Sequence, residues 1–283
     1  MSGLAELSQR FARLKEISGI MTAMKSLSLA ETRKLARFIG HQRRMLDNIE
    51  VAAADFLQFF PIESADADSA PAPGQPAILL LIGSERGFCG NFNERVVAAF
   101  DALPQWEPAP ALLVVGQRLG AKLESRSGVI ARLDGSTVTE EVPAVLSRLI
   151  DAVHVASRKL ARDGAALFSL GHEAEGEPKL KRLLPISPPP ALPLSHPPGL
   201  QLAPIEFFAE LLDQYLLAAL YGLLYESLSA ESRQRLAHME HALDRLDETV
   251  GHLALERNAL RQEKIVEEIE VILSTEQAFA DRR

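Results

Sequence analysis

The sequence predicts an α/β fold with long helices: an antiparallel coiled coil of the N- and C-terminal segments, with a central Rossmann-like α/β domain between them. Three observations predict it. Proline is absent before Pro61 and after Pro204, which leaves two long uninterrupted segments at the ends of the chain. Both segments carry apolar residues at alternating spacings of three and four, the period of helices that pack side by side. Between them, short apolar runs alternate with helical patterns, as in a parallel sheet covered by helices.

The first helix is expected over residues 1–60. Leu4, Leu7, Phe11 and Leu14 open a seam. Its phase slips through Ile17, Ile20, Met24 and Leu27, then settles at Leu35, Phe38, Gln42, Met45, Ile49, Ala52, Phe56 and Phe59. Gly19 and Gly40 each cost about 1 kcal/mol relative to alanine in a helix, which packing against a second helix offsets. Residues 61–76, rich in Pro, Ala and Asp, read as a linker.

The α/β domain is expected over 77–186. Residues 77–82 (AILLLI) and 111–115 (ALLVV) have the continuous apolar character of strands buried on both faces. A short strand at 129–133, another at 165–170 and an edge strand at 180–186 complete the sheet. Helices are expected after the first two strands, with Val96, Val97 and Phe100 and then Leu119 and Leu123 inward, and over 142–160. Residues 187–204 form a stiff connection, since eight prolines fall between Pro185 and Pro204.

The second long helix is expected over 205–283. Pro204 suits a first helical position, where its missing N–H has no partner to lose. Leu236, Met239, Leu243, Leu246, Val250 and Leu253 form an a/d seam that continues to Arg257 and Leu260, and Ile265, Ile269 and Ile272 resume it after a stutter. Unbroken, the helix would run on the order of 110 Å at 1.5 Å per residue. Charge fits an antiparallel pairing. Residues 1–46 hold nine Lys/Arg against three acids, and residues 226–283 hold thirteen acids against eight bases. The competing reading is two separate amphipathic helices packed on a globular core.

Composition excludes several function classes. A net charge of −8 and 6% aromatics leave neither the basic surface nor the stacking platforms of a nucleic-acid binder. The single cysteine, Cys89, excludes an internal disulfide. No apolar leader or membrane span is read, because the apolar stretch between Asp213 and Glu226 is only twelve residues long.

Chemistry is sparse. The turn after the first strand, SERGFCGNFN, has neither the P-loop nor the dinucleotide-binding glycine pattern. Arg86, Gly87, Cys89 and Gly90 therefore read as a structural turn, with Gly87 and Gly90 allowing its tight geometry and Cys89 as a buried thiol. Arg86 beside Cys89 leaves a thiolate as the other reading. His238, His241 and His252 read as solvated helix-face residues, not metal ligands. His172 with Glu173, Glu175 and Glu177 reads as a solvated loop. No nucleophile–base pair, cofactor site or metal set is recognised.

Four stretches resemble one family, the gamma subunit of F-type ATP synthases. They are Ile20-Met21-Thr22-Ala23-Met24-Lys25 with Arg33-Lys34; Ser84-Glu85-Arg86-Gly87-Phe88-Cys89-Gly90 with Asn93; Glu231 with Arg235-Leu236-Ala237-His238-Met239; and Asn258, Arg261-Gln262, Ile265, Glu268-Ile269 and Ile272. Asn91 stands where the family has Gly, Asp244-Arg245 where it has Asp-Asn, and its Gln-Lys before the first motif is missing. The Pro-rich segments and the tail from Ser274 to Arg283 are also unusual, which points to a divergent or alternative branch.

The resemblance implies a non-catalytic rotor shaft. Its partners would be the alpha and beta subunits of the catalytic hexamer, the epsilon subunit and the c-subunit ring. It would meet the membrane only through partner subunits, at the cytoplasmic face of a bacterial inner membrane. It implies hexamer contacts for Met24, Arg235, Arg261, Gln262 and Glu268. A plain coiled-coil adaptor or V-type-like stalk protein, and a small Rossmann-like nucleotide-binding enzyme, are the alternatives.

Overall fold

A computed structural model describes residues 2–61, 70–160, 165–173, 176–187, 189 and 193–280, with side chains through 273 at the C-terminal end. Half of the expected 61–76 linker, part of the Pro-rich connection, Glu175 and the last residues of the tail lie outside the described residues. The chain divides into two compact units, Met1–Leu27 with Leu236–Arg283, and Ser28–Arg235.

Among the described residues, eleven elements run in order. Helix α1 (Ser2–Phe59) is followed by β1 (Ala77–Ile82), α2 (Phe92–Asp101), β2 (Ala111–Val115), α3 (Gln117–Lys122) and β3 (Val129–Leu133). A 3₁₀ turn (Thr139–Glu141) leads into α4 (Val142–Leu160), then β4 (Ala166–His172), β5 (Pro178–Leu184) and α5 (Pro204–Ala280).

The larger unit is built on a five-stranded sheet of order β3-β2-β1-β4-β5. Strands β3, β2, β1 and β4 are parallel, and β5 pairs antiparallel with β4 at the edge. Every residue of β1 and β2 is buried. The period of two divides them cleanly between faces. Ile78, Leu80, Ile82, Leu113 and Val115 join one core with α4 and the parts of α1 and α5 that belong to this unit. Ala77, Leu79, Leu81, Leu112 and Val114 join the opposite core beneath α2 and α3. Helix α4 turns Val145, Leu149, Val153 and Ala156 inward at helical spacing.

Within this unit α1 and α5 run antiparallel, with Phe56 stacked near Phe207 and Phe208, and Phe38 on Tyr225. The α1 seam differs from the expected register. Leu35, Ile39, Ala53 and Phe56 are buried and Leu46 and Phe60 pack on the core, whereas Phe38 and Met45 are 39% and 41% exposed. Two heptad readings share Leu35, Gln42, Ile49 and Phe56. The packed one takes the residue after each of Phe38, Met45, Ala52 and Phe59.

The apolar stretch of α5 also lies in this core, with Tyr215, Ala219, Leu220, Leu224, Tyr225 and Leu228 buried. The sequence reading finds no membrane span. By length and composition α5 does hold a window apolar enough to cross one, at mean hydropathy 1.3. Its middle is instead a core helix, apolar on several sides because protein surrounds it.

The smaller unit is a pair of antiparallel helices. Lys25 pairs with Glu240 at 3.1 Å, and the Arg257 guanidinium sits 4.5 Å from the Phe11 ring centroid. Met239, Leu243 and Leu253 are buried, and Leu236, Leu246, Val250 and Leu260 are half-buried. That is the expected seam. It faces Leu4, Leu7, Phe11 and Leu14, all half-buried. Beyond Leu14 the inward positions are Ser18, Met21 and Met24, while Ile17, Ile20 and Leu27 are 46–57% exposed. The stutter of α5 is not buried either, with Ile265, Ile269 and Ile272 at 48–58% exposure.

Candidate functional site

The first candidate site is the turn between β1 and α2. Ser84 is fully buried, and Asn93 ties it down twice. The Asn93 Oδ1 accepts the Ser84 N–H at 2.9 Å, and its Nδ2 donates to Ser84 Oγ at 2.7 Å. Cys89 is buried and donates its S–H to the same Oγ at 3.3 Å. Burial pushes the thiol pKa upward, so the structure favours the neutral, packed thiol over the thiolate that Arg86 suggested.

Left-handed backbone falls at Phe88 (φ 63°) and Gly90 (φ 57°), not at Gly87. A left-handed phenylalanine is unfavourable by steric crowding of its Cβ, and Phe88 is 61% exposed as well. The turn therefore has to be held by its surroundings.

Glu231 and Arg235, one helical turn apart on α5, hold it. The Glu231 carboxylate accepts the backbone N–H groups of Glu85 and Arg86 at 3.3 and 3.4 Å and pairs with Arg235. The Arg235 Nε donates to the Gly87 carbonyl at 3.3 Å. Both side chains are buried, at 3% and 7% exposure. Burial raises the Glu231 pKa, opposed by the Arg235 charge and the two N–H bonds. Arg235, implied as a contact to another subunit, spends its guanidinium inside the fold.

Glu85 supplies a second staple that the sequence reading missed. Its carboxylate accepts the N–H of Gln117, the first residue of α3, at 3.0 Å and that of Gly135 at 2.7 Å. Its partners lie 32 and 50 residues further along the chain and are backbone groups, so no sequence signal marked them. These bonds weigh against the phosphate reading. The N–H groups of Glu85 and Arg86 already donate to Glu231, and those of Gln117 and Gly135 to Glu85, so these four are not free for a phosphate. Gly83 and Gly116 sit where the same ends converge, and a Cβ on Gly83 would come 2.4 Å from that of Leu119.

The His172 loop is not simply solvated. His172 is 4% exposed and stacked on Phe92 at 4.0 Å, with its ring nitrogens 3.0 and 3.2 Å from the Phe92 and Gly176 carbonyls. Burial lowers its pKa. Glu173 pairs with Lys179 and Lys181, and Glu177 with Arg95.

The second candidate site lies in the two-helix unit. Met24 is half-buried, while Arg261, Gln262 and Glu268 are exposed on α5. Arg261 and Glu268 line one open groove with Leu4 and Ser8 of α1, and Lys264 reaches Glu268 at 3.7 Å. Gln262 does not line it. Around these residues Ile265, Val266, Ile269, Val271, Ile272 and Leu273 are 48–63% exposed. Contiguous exposed apolar residues of this kind mark a surface that another protein covers. The geometry suits contact, with no nucleophile–base arrangement among the described residues.

A profile of the family described as ATP synthase matches residues 3–279. The chain is 25% identical over 289 residues to the ATP synthase gamma chain of Geotalea daltonii, covering 97% of this chain and 98% of that one. It is 24% identical over 299 residues to the gamma chain of Rubrobacter xylanophilus, covering 99% of each. In three dimensions it resembles a chain of the Euglena gracilis mitochondrial ATP synthase rotor, with a TM-score of 0.62, 12% identity, and 93% and 98% of the two chains covered. A chain of the Tetrahymena thermophila central stalk and c-ring gives 0.55 and 18%, covering 79% of this chain and 99% of that one.

Proposed function

The chain belongs to the ATP synthase family, and from that premise we propose how its two units divide the work. It is the gamma subunit, the central rotor stalk of an ATP synthase. As such it is one component of a membrane-associated complex.

The two-helix unit turns inside the alternating hexamer of alpha and beta subunits. Met24, Arg261, Gln262 and Glu268 are its contact residues, and the exposed apolar residues from Ile265 to Leu273 are its bearing. The α/β unit meets the c-subunit ring and the epsilon subunit at the cytoplasmic face of a bacterial inner membrane. The chain itself is non-catalytic and ATP chemistry belongs to beta. An asymmetric shaft touches each of the three beta subunits differently, and those differential contacts bias which catalytic site is open.

The observation that carries this reading is the run of exposed apolar side chains on α5 beside Arg261 and Glu268. Arg235, held against the β1–α2 turn, serves instead to fix that turn. The test is Arg261→Ala/Gln262→Ala in the assembled complex. Both side chains are exposed, so the chain should fold and assemble normally while ATP-driven ion pumping falls several-fold. Pumping at the unaltered level in a correctly assembled double variant contradicts the contact assignment.

A further inference from the structure

Within the larger unit, α1, β5 and α5 line an open-sided cavity of about 290 Å³ that the rotor function does not use. On α1 it is lined by Gln42, Leu46 and Glu50, at i, i+4 and i+8. That is one stripe along two turns, on the order of 12 Å. Leu183 of β5 and Ala219 and Leu223 of α5 supply the apolar wall.

The space is kept open by sequence. Gly222 lines it, and a Cβ added there would meet nothing within 4 Å. Close packing therefore does not require this glycine, although glycine is among the poorest helix formers. It stands in the otherwise bulky run LLAALYGLLY, where a larger side chain would fill the hole.

Three cations, Arg43, Lys181 and Arg182, and two carboxylates, Glu50 and Glu226, line the cavity. The nearby cations are occupied. Arg43 donates to Glu226 at 2.9 Å, and Lys181 is shared between Glu173 and Glu226 at 2.9 and 3.7 Å. Arg182 sends its guanidinium to the Phe168 ring and the Ala70 carbonyl. Glu50 has no direct ion pair among the described residues; burial and the nearby Asp47 raise its pKa, and the Lys181 charge opposes them. Gln42 Oε1 is buried without a hydrogen-bond partner. Tyr215, 6% exposed, has its phenol pushed up to about 12 by burial and the Glu50 charge. A partly apolar cavity with a carboxylate that has no direct ion pair and one unpartnered buried acceptor can take a donor-rich, positively charged head on an aliphatic stem.

We propose that this cavity binds an ammonium group carried on an aliphatic chain, its charge against Glu50 and its stem along Leu46, Leu183, Ala219 and Leu223. Two sources carry that chemistry: a free alkylamine, or the lysine side chain of a neighbouring subunit.

The probe is octylammonium below its micelle concentration, titrated into the full chain by calorimetry, with octanoate and octanol as controls. Octylammonium should bind about tenfold or more tightly than either control, since only it offers charge-assisted donors to Glu50. Glu50→Gln should erase that preference. Gly222→Leu should abolish binding while leaving the unfolding midpoint unchanged or raised, and Gly222→Ala should weaken binding several-fold should the larger change disturb the fold. Binding retained by the assembled complex identifies a free amine as occupant; binding lost on assembly identifies a subunit's lysine. Equal binding of octanol, or full binding by both glycine variants, overturns the proposal.

Discussion

The two units of this chain satisfy the same hydrophobic requirement in opposite ways. The α/β unit closes both faces of its sheet with its own helices, and its central strands β1 and β2 are buried throughout. The two-helix unit buries Met239, Leu243 and Leu253 along one seam and leaves Ile17, Ile20, Leu27 and the α5 residues from Ile265 to Leu273 at least 46% exposed. The first is complete by itself. The second is a thin pair that leaves many apolar side chains open to solvent, and exposed apolar surface is what the proposed shaft inside other subunits needs.

The largest effect that sharpens this contrast is expected at the turn clamp. Glu231→Ala leaves Arg235 buried without its counter-charge and strips the N–H groups of Glu85 and Arg86 of their acceptor. The cost should be about 3–5 kcal/mol in urea unfolding of the full chain. Replacing both partners, as Glu231→Leu with Arg235→Met, should recover most of it, because no buried charge is then left alone. A loss under about 1 kcal/mol for Glu231→Ala would break the claim that the α/β unit is held by its own interior.

Next comes the seam. Met239 is fully buried, so Met239→Ala should cost about 2–4 kcal/mol. The loss should appear as faster amide exchange in residues 2–27 and 236–260, with β1 and β4 unaffected. Leu80→Ala, equally buried but in β1, should cost a similar amount and lower protection across the sheet instead. Identical exchange patterns for the two variants would erase the distinction between the units.

The smallest effect is electrostatic. Lys181, with Lys179, holds the Glu173 carboxyl below its usual range. A depressed carboxylate contributes stability above its unfolded pKa and loses it as pH falls through the folded value. Wild type should exceed Glu173→Gln by about 0.5 kcal/mol at pH 7, the discount reflecting exposed lysines. The difference should fade as pH drops below about 4.5, the ordinary value. A gap that persists in acid would point to packing.

Much of this was legible in the sequence, and the failures have physical causes. The α5 seam from Leu236 to Leu260 could be read directly because each seam residue is bordered by polar residues, alanine or glycine and not by a second bulky apolar side chain, leaving a single register. On α1, Phe38-Ile39, Met45-Leu46 and Ala52-Ala53 offer two apolar residues side by side. Periodicity cannot choose between them, and contact with the sheet unit decided. The antiparallel β5 edge was open for the same reason, since an apolar edge run does not state its direction. The SERGFCG turn was visible as a motif, but its clamp was not. Glu231 and Arg235 lie some 145 residues further along the chain, and Glu85 acts through backbone groups that carry no sequence signal. His172 was misread because its acidic neighbours suggested water while its ring found Phe92.

The most direct measurement is amide hydrogen exchange on the chain alone and on the same chain in the purified complex. The account predicts strong new protection in residues 2–27 and 236–273 on assembly, where the apolar surface gains its cover, and little change in β1, β2 and β4. Unchanged exchange in the two-helix unit, with protection confined to the sheet unit, would contradict the claim that the helical pair is the part completed by its partners.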